Sequence, residues 1–484
     1  MNASETGTGG KGGQSPFVRR PCEHGTRLRA VPANGDCPLF PSFLVFLIAA
    51  VAALGGFLFG YDLQIIAGAM LFIKPAFGLT PPQHGFAMAS ALLGCMAGPI
   101  VGGALGDRLG RKRTLIFAGL LFAAGALGTA VSRNAIEFDL LRFLGGVGVG
   151  LASVVSPMFI AEMAPPRIRG ALVTVNQLAI VVGLACAAVV PFYLAPGEHW
   201  RWMLASNAVP VPLFIVGLLL VPESPRWMAQ KGRHQEALEV LALIDGRENA
   251  ETEMKDILAS TQEQGSLRDL LRPGMRFALL IACSLGAFQQ ITGASILTMY
   301  MPGVFLDAGF ASPRDAIRPN VIISLWYVLC TVAALLVVDR LGRKPLLLLG
   351  TAGMTVGMVI LGALFHWHAT GAYVVATMFL VMGAYLVSLA PLAWLIMSEI
   401  FPNRLRGRAM GVASVCVWTA SFLTTFCFPP LVDCFKTNLG SPAMAYWIFA
   451  VLSAAAFLFS LVIVPETKGR TLEEIGASWT RSKP

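Results

Sequence analysis

Two ionisable residues stand where charge is costly. Asp62 follows Gly60-Tyr61 inside one apolar run, and Arg142 lies in another, Leu141-Arg142-Phe143-Leu144-Gly145. A charge at bilayer depth marks a functional site by default, and an acid and a base can share the cost by pairing. Two uses follow from these residue types. One is a fixed ion pair that orients helices. The other is a proton switch: burial raises the acid's pKa, the arginine lowers it, and Asp62 alternates between a protonated and a paired form. The sequence leaves both open.

A second set of polar side chains is scattered through apolar runs: Gln177, Gln289, Gln290, Thr292, Ser295 and Trp394. Amides donate and accept hydrogen bonds, matching the hydroxyls of a sugar, and an indole face suits a sugar's apolar surface. Bonding between helices is the competing use of such residues. Adjacent Gln289 and Gln290 point in different directions, so one helix-helix contact does not absorb both. His366 and His368 read as interfacial residues rather than ligands. The nine cysteines form no CxxC pair, and no HExxH cluster is present. The expectation is no metal, no cofactor, no enzyme and no disulfide framework.

These residues need elements to hold them, and composition says which. Of 484 residues, 56% are hydrophobic and 13% charged, against about a quarter charged in soluble domains. Spanning a bilayer takes about 20 mostly apolar residues. Twelve runs qualify: 42–70, 84–106, 113–132, 137–160, 171–194, 202–221, 277–302, 319–338, 345–365, 371–398, 408–432 and 442–464. An even number places both ends on one side. With the N-terminus in the cytoplasm, 29 Lys and Arg fall on that side and six on the other, with Arg142 inside a span. The positive-inside rule then puts both termini in the cytoplasm, and the net charge of +9 reflects topology rather than nucleic-acid binding. Residues 1–41 read as a disordered cytoplasmic tail, 222–276 as a cytoplasmic linker with short amphipathic helices such as His234–Leu243, and 465–484 as a second tail. The spans fall into two halves, 42–221 and 277–464.

An internal repeat relates the halves. Asp107-Arg108-Leu-Gly-Arg111-Lys112 recurs as Asp339-Arg340-Leu-Gly-Arg343-Lys344, displaced by 232. Glu162 precedes Arg169-Gly170 by seven residues, as Glu399 precedes Arg406-Gly407, and Pro222-Glu223-Ser224 matches Pro465-Glu466-Thr467. Parallel six-helix halves are one architecture of transporters. The arginines of the repeated string can reach helix C-termini and carboxylates. Asp107, Arg108, Arg111, Glu162 and Arg169, with Asp339, Arg340, Arg343, Glu399 and Arg406, are expected to form a cytoplasmic ion-pair latch that favours the outward-open state. A purely topological role is the alternative.

The chain resembles the sugar porter family of the major facilitator superfamily over about residues 42–480. The matching strings include Gly56-Phe-Leu-Phe-Gly-Tyr-Asp62, Asp107–Lys112, Arg142–Gly146, Ser156–Glu162, Arg167–Gly170 and Asn176-Gln177. They continue with Pro222–Arg226, Gln289–Gly293, Asp339–Lys344, Ser398–Pro402 and Pro465–Arg470. The resemblance implies an all-α membrane protein of the major facilitator fold, in the plasma or inner membrane, moving a monosaccharide by alternating access. It implies sugar contacts from Gln177, Gln289, Gln290 and Trp394. Proton-coupled members carry Gly-Tyr-Asp in the first span and an arginine in the fourth, so Asp62 and Arg142 imply symport with a proton. Ser295 stands where the family carries Asn, Met299-Tyr300 replaces a Tyr-Tyr pair, and further amides are missing near Trp326-Tyr327, Val417 and Ser421. Losing amides changes which hydroxyls the site satisfies. A facilitative uniporter, a polyol or inositol carrier, and a non-transporting sugar sensor are the alternatives.

Overall fold

Among the described residues, twelve helices are long and apolar enough to cross a bilayer. In chain order they are Leu44–Phe77, Pro81–Leu109, Arg111–Val131, Ala135–Met163, Arg169–Gly197, Trp200–Leu220, Met275–Asp307, Pro313–Val338, Arg343–His366, Ala372–Glu399, Leu405–Leu439 and Ala443–Val462. Each overlaps one run expected from the sequence, and no strand occurs among the described residues. This computed structural model describes residues 40–468 apart from 166, 263–266, 273 and 370, and omits the side chains of 40–43, 248, 260–262, 267, 339, 403 and 404. The expected tails over 1–41 and 465–484 lie almost wholly outside the described residues, and so does the side chain of Asp339.

Local chemistry sets the helix ends. Asn134 accepts the Glu137 N–H at 2.9 Å and opens the fourth span; Ser312 does the same for Asp315 at 3.2 Å and opens the eighth. Each satisfies one backbone donor that a helix start leaves free. Between the second and third spans the chain reverses at Gly110, φ 97°, and between the eighth and ninth at Gly342, φ 91°. Both lie in the region that only glycine adopts freely.

Three spans are broken, and the breaks matter more than the helices. The sixth passes through a 3₁₀ turn at Ser206–Ala208, the seventh is interrupted at Thr292-Gly293, and the tenth at Ser388. Interrupted backbone at membrane depth is tolerated only where protein or a wet cavity satisfies its polar groups.

The described residues from Phe40 onward form one compact unit. The first span packs on the fifth and the second on the fourth. At Gly98 an added Cβ would sit 2.1 Å from the carbonyl carbon of Gly150, so the second and fourth spans touch backbone to backbone. Ile100, Leu120, Leu140, Leu220, Leu336 and Val451 are exposed, an outer surface suited to hydrocarbon. Among the described residues of the linker, three α-helices, Pro225–Gln230, His234–Asp245 and Arg247–Gln262, precede a 3₁₀ helix at Leu267–Leu271. The second buries Ala237, Val240, Leu241 and Ile244, the helical spacing expected of an amphipathic segment. The face where the first span starts and the twelfth ends is called the terminal face below.

Candidate functional site

Asp62 and Arg142 meet. Arg142 Nη1 lies 2.5 Å from Asp62 Oδ1, with the two residues 4% and 7% exposed. The 3₁₀ turn of the sixth span adds a third member: Asn207 Nδ2 donates to the same Oδ1 at 3.0 Å. Arg142 Nε and Nη2 have no hydrogen-bond partner, nor has the Oδ1 of Asp139 one turn earlier. Beside the pair is a cavity of about 10 Å³ lined by Thr129, Leu141, Gly145 and the pair itself, room for about one water molecule. The centre is a buried charge pair held by one direct bond and a neutral donor, with donors to spare.

The second site gathers at the two broken helices of the other half. Gln289 Nε2 donates to the carbonyls of Ala390 at 2.8 Å and Leu389 at 3.3 Å, just past the break in the tenth span. Gln290 Nε2 donates to Gln289 Oε1 at 3.3 Å, and Ser295 Oγ donates to Gln290 Oε1 at 2.7 Å. Three expected residues thus form one bonded chain. Gln290 and Ser295 are half-buried at its open end. Gln177 on the fifth span and Trp394 on the tenth are also half-buried, but neither bonds to this chain. Thr292 is buried, and its carbonyl accepts from Ser453 at 3.2 Å.

At the terminal face the repeated strings form two matching clusters. In the first half Arg111 grips Glu162 through Nε and Nη2 at 2.9 and 3.0 Å, and Asp107 through Nη1 at 3.1 Å. Glu223 accepts the backbone N–H groups of Arg111 and Lys112 at 3.0 and 3.1 Å, and Ser224 Oγ donates to Glu162 at 2.5 Å. In the second half Arg343 Nη2 lies 3.1 Å from Glu399. Glu466 accepts the N–H groups of Arg343 and Lys344 at 3.1 and 3.0 Å, and Thr467 Oγ1 donates to Glu399. Glu223 and Glu466 each sit at the positive N-terminus of a span, where backbone donors and dipole favour an anion.

In each cluster an arginine of the repeated string takes the glutamate. Glu162 is held by Arg111 and not by Arg169. Arg169 pairs with Glu253 on the linker at 3.0 Å and donates to the Ala164 carbonyl at 3.2 Å. Glu399 is likewise held by Arg343, and Arg406 Nε has no partner. Arg108 and Arg340 are exposed. The Arg111–Glu162 and Arg343–Glu399 pairs each lie within one half, so in this conformation they brace a half and do not fasten one half to the other.

The halves touch at the opposite face. An added Cβ on Gly85 would fall 2.2 Å from the carbonyl oxygen of Phe426. Phe86 meets Phe422 and Phe426 edge-on, and His84 lies 5.5 Å from the ring of Tyr300. Arg314 covers Phe192 at 5.0 Å.

A profile of the family described as "Sugar (and other) transporter" matches residues 48–479. The chain belongs to this family. Among its relatives, an arabinose-proton symporter of Bacillus subtilis is 38% identical over 448 residues, 90% of this chain and 95% of that one. A D-xylose-proton symporter of Escherichia coli is 35% identical over 480 residues, 91% and 96%. The E. coli xylose transporter solved in an inward open conformation matches with a TM-score of 0.78 at 34% identity, covering 90% of this chain and all of that one. Its partially occluded inward open form matches at 0.79 and 34%, over 89% of this chain. The sugar porter is therefore a multi-pass integral membrane protein of the major facilitator fold.

Four residues of the porter's sites escaped the sequence argument: Asn207, Asp139, Glu223 and Glu466. Asn207 carried the same signal as Asp62, a polar group in an apolar run. Glu223 and Glu466 were visible as landmarks of the repeat but without a partner.

Proposed function

We propose that this chain is a proton-coupled symporter of a monosaccharide, a hexose or pentose, working by alternating access. The carrying observation is the buried contact of Asp62 with Arg142 and Asn207. Protonating Asp62 removes the charge that holds Arg142, which changes how the first, fourth and sixth spans are tied. Such a change gives a proton differential affinity for two conformations, the condition for coupling. Gln289, Gln290 and Ser295, with Gln177 and Trp394, are the residues proposed to bind sugar, because they supply amides, a hydroxyl and an indole, all but Gln177 on the broken seventh and tenth spans. Support for the substrate class comes from relatives described as arabinose- and xylose-proton symporters.

The terminal face is assigned to the cytoplasm from the distribution of Lys and Arg. Contact between the halves at the opposite face then makes this an inward-facing state. In it the Arg111 and Arg343 clusters brace the cytoplasmic ends of their own halves. The expected latch holds if residues such as Arg406 find a partner across the halves when the cytoplasmic side closes.

Uptake of radiolabelled pentoses, hexoses and polyols into proteoliposomes, with and without an imposed proton gradient, tests the proposal. Accumulation of one sugar above its external concentration, driven by acid outside, is the expected result. Equilibration without accumulation assigns the chain to the uniporters, and binding without flux to the sensors.

A further inference from the structure

Arg142 has more donors than its one acid uses. A guanidinium carries five N–H groups; here Nη1 reaches Asp62, while Nε and Nη2 are buried without partners. Asp139 precedes Arg142 by three residues on the fourth span, so the two side chains are neighbours on one helix face, about 5–6 Å apart at Cβ. Its Oδ1 is buried and accepts no hydrogen bond. The fourth span runs from Ala135 at the opposite face inward, which puts Asp139 about 4.5 Å nearer that face than Arg142. An unpaired carboxylate here is expensive unless it carries a proton or finds a cation.

We propose that Asp139 is a second proton-bearing carboxylate, which receives the proton from the outer side and passes it to Asp62 while taking over Arg142. The inference rests on the coupled-symport reading. Before transfer, Asp139 is neutral and Asp62 is the ionised partner of Arg142. The proton leaves the Asp139 carboxyl and bonds to a carboxylate oxygen of Asp62, where the water-sized cavity lined by Asp62 and Arg142 lies at the receiving end. Arg142 stays protonated and turns Nε and Nη2 to the newly ionised Asp139. One acid and one ion pair exist before and after, so no net charge is buried by the step. The guanidinium changes partners without ever standing alone.

Other ionisable groups around this stretch of the fourth span are otherwise engaged. Arg201 of the sixth span gives Nη1 to the carbonyls of Ala130 and Ser132 at 2.9 and 2.8 Å. His84 of the second span packs on Tyr300, with Lys74 of the first span as its charged neighbour. Glu137 accepts the Arg133 N–H at 2.9 Å.

Asp139→Asn and Asp139→Glu in proteoliposomes test the relay. With Asn, uptake driven by a proton gradient should fall roughly tenfold at alkaline external pH, the occupancy change of one pKa unit, and less at acid pH where protons are abundant. Sugar counterflow at equal pH should keep its rate, and Asp139→Glu should restore uptake with a shifted pH profile. An Asn variant with the wild-type rate and pH profile overturns the relay, as does one that loses counterflow together with uphill uptake. If the Asn variant does not fold, the Glu variant is read alone, and an unchanged pH profile overturns the proposal. Wild-type vesicles that fail to accumulate any sugar contradict the coupling reading beneath it, an outcome distinct from a silent Asp139→Asn.

Discussion

Gln289 donates its side-chain amide to the Ala390 carbonyl at 2.8 Å, from the seventh span to the break in the tenth. Leu389 and Ala390 open the helix that follows the break, and Gln289 bonds their carbonyls in addition to the helical N–H groups, tying the two broken spans together. That use fixes Gln289 and leaves Gln290, bonded to Ser295, as the adaptable amide. Of the two adjacent glutamines proposed to bind sugar, Gln289 is the anchored one and Gln290 the adaptable one.

Gln290→Ala should weaken sugar binding about five- to tenfold, the loss of about one net hydrogen bond, with little change in melting temperature. Gln289→Ala should instead destabilise the protein by about 1–3 kcal/mol, the loss of the buried hydrogen bonds that the side chain makes to Ala390, Leu389 and Gln290. Equilibrium binding and detergent thermal melts on both variants separate the two roles. Equal affinity in Gln290→Ala and wild type removes that residue from the site.

Contact between the halves depends on a missing side chain at Gly85. Gly85→Leu should hold the opposite face apart and favour the outward-facing state. In a cysteine-free background carrying Ser295→Cys, labelling by a membrane-impermeant thiol reagent from outside should rise, and transport should fall. Unchanged labelling would place the gate elsewhere.

Glu466 gives a pH-dependent contribution. Burial pushes its carboxyl up, but backbone N–H groups of Lys468, Arg343, Lys344 and Thr467 pull it down, and the net position is below the usual range. A carboxylate depressed in the folded state stabilises above its unfolded value of about 4.3 and loses that contribution as pH falls through the folded value. Thermal melts from neutral to acid pH should show a steeper acid-side loss in wild type than in Glu466→Gln. Parallel curves would mean that the cluster is not closed in solution.

Sequence reading reached the twelve spans because length and apolarity decide a bilayer crossing, and it reached the repeat because Asp107–Lys112 recurs letter for letter. It also paired Asp62 with Arg142, since two buried charges of opposite sign have few other solutions. It missed Asn207 because the 3₁₀ turn that aims it at Asp62 has no periodic signature. The seven-residue spacing of Glu162 and Arg169 marked the repeat but carried no sign that Arg169 reaches Glu253 of the linker. Arg111, which actually holds Glu162, is distant in sequence and was placed only as a member of the cluster. Contacts made across broken helices and between distant turns are tertiary, and spacing along one segment does not carry them.

The symport reading stands or falls on Asp62. The most direct measurement is sugar accumulation driven by an imposed pH difference, in proteoliposomes of wild type and Asp62→Asn, with counterflow at equal pH measured on the same vesicles. Wild type is predicted to concentrate sugar, and Asp62→Asn to exchange it without concentrating it. Uphill accumulation by Asp62→Asn would contradict the account.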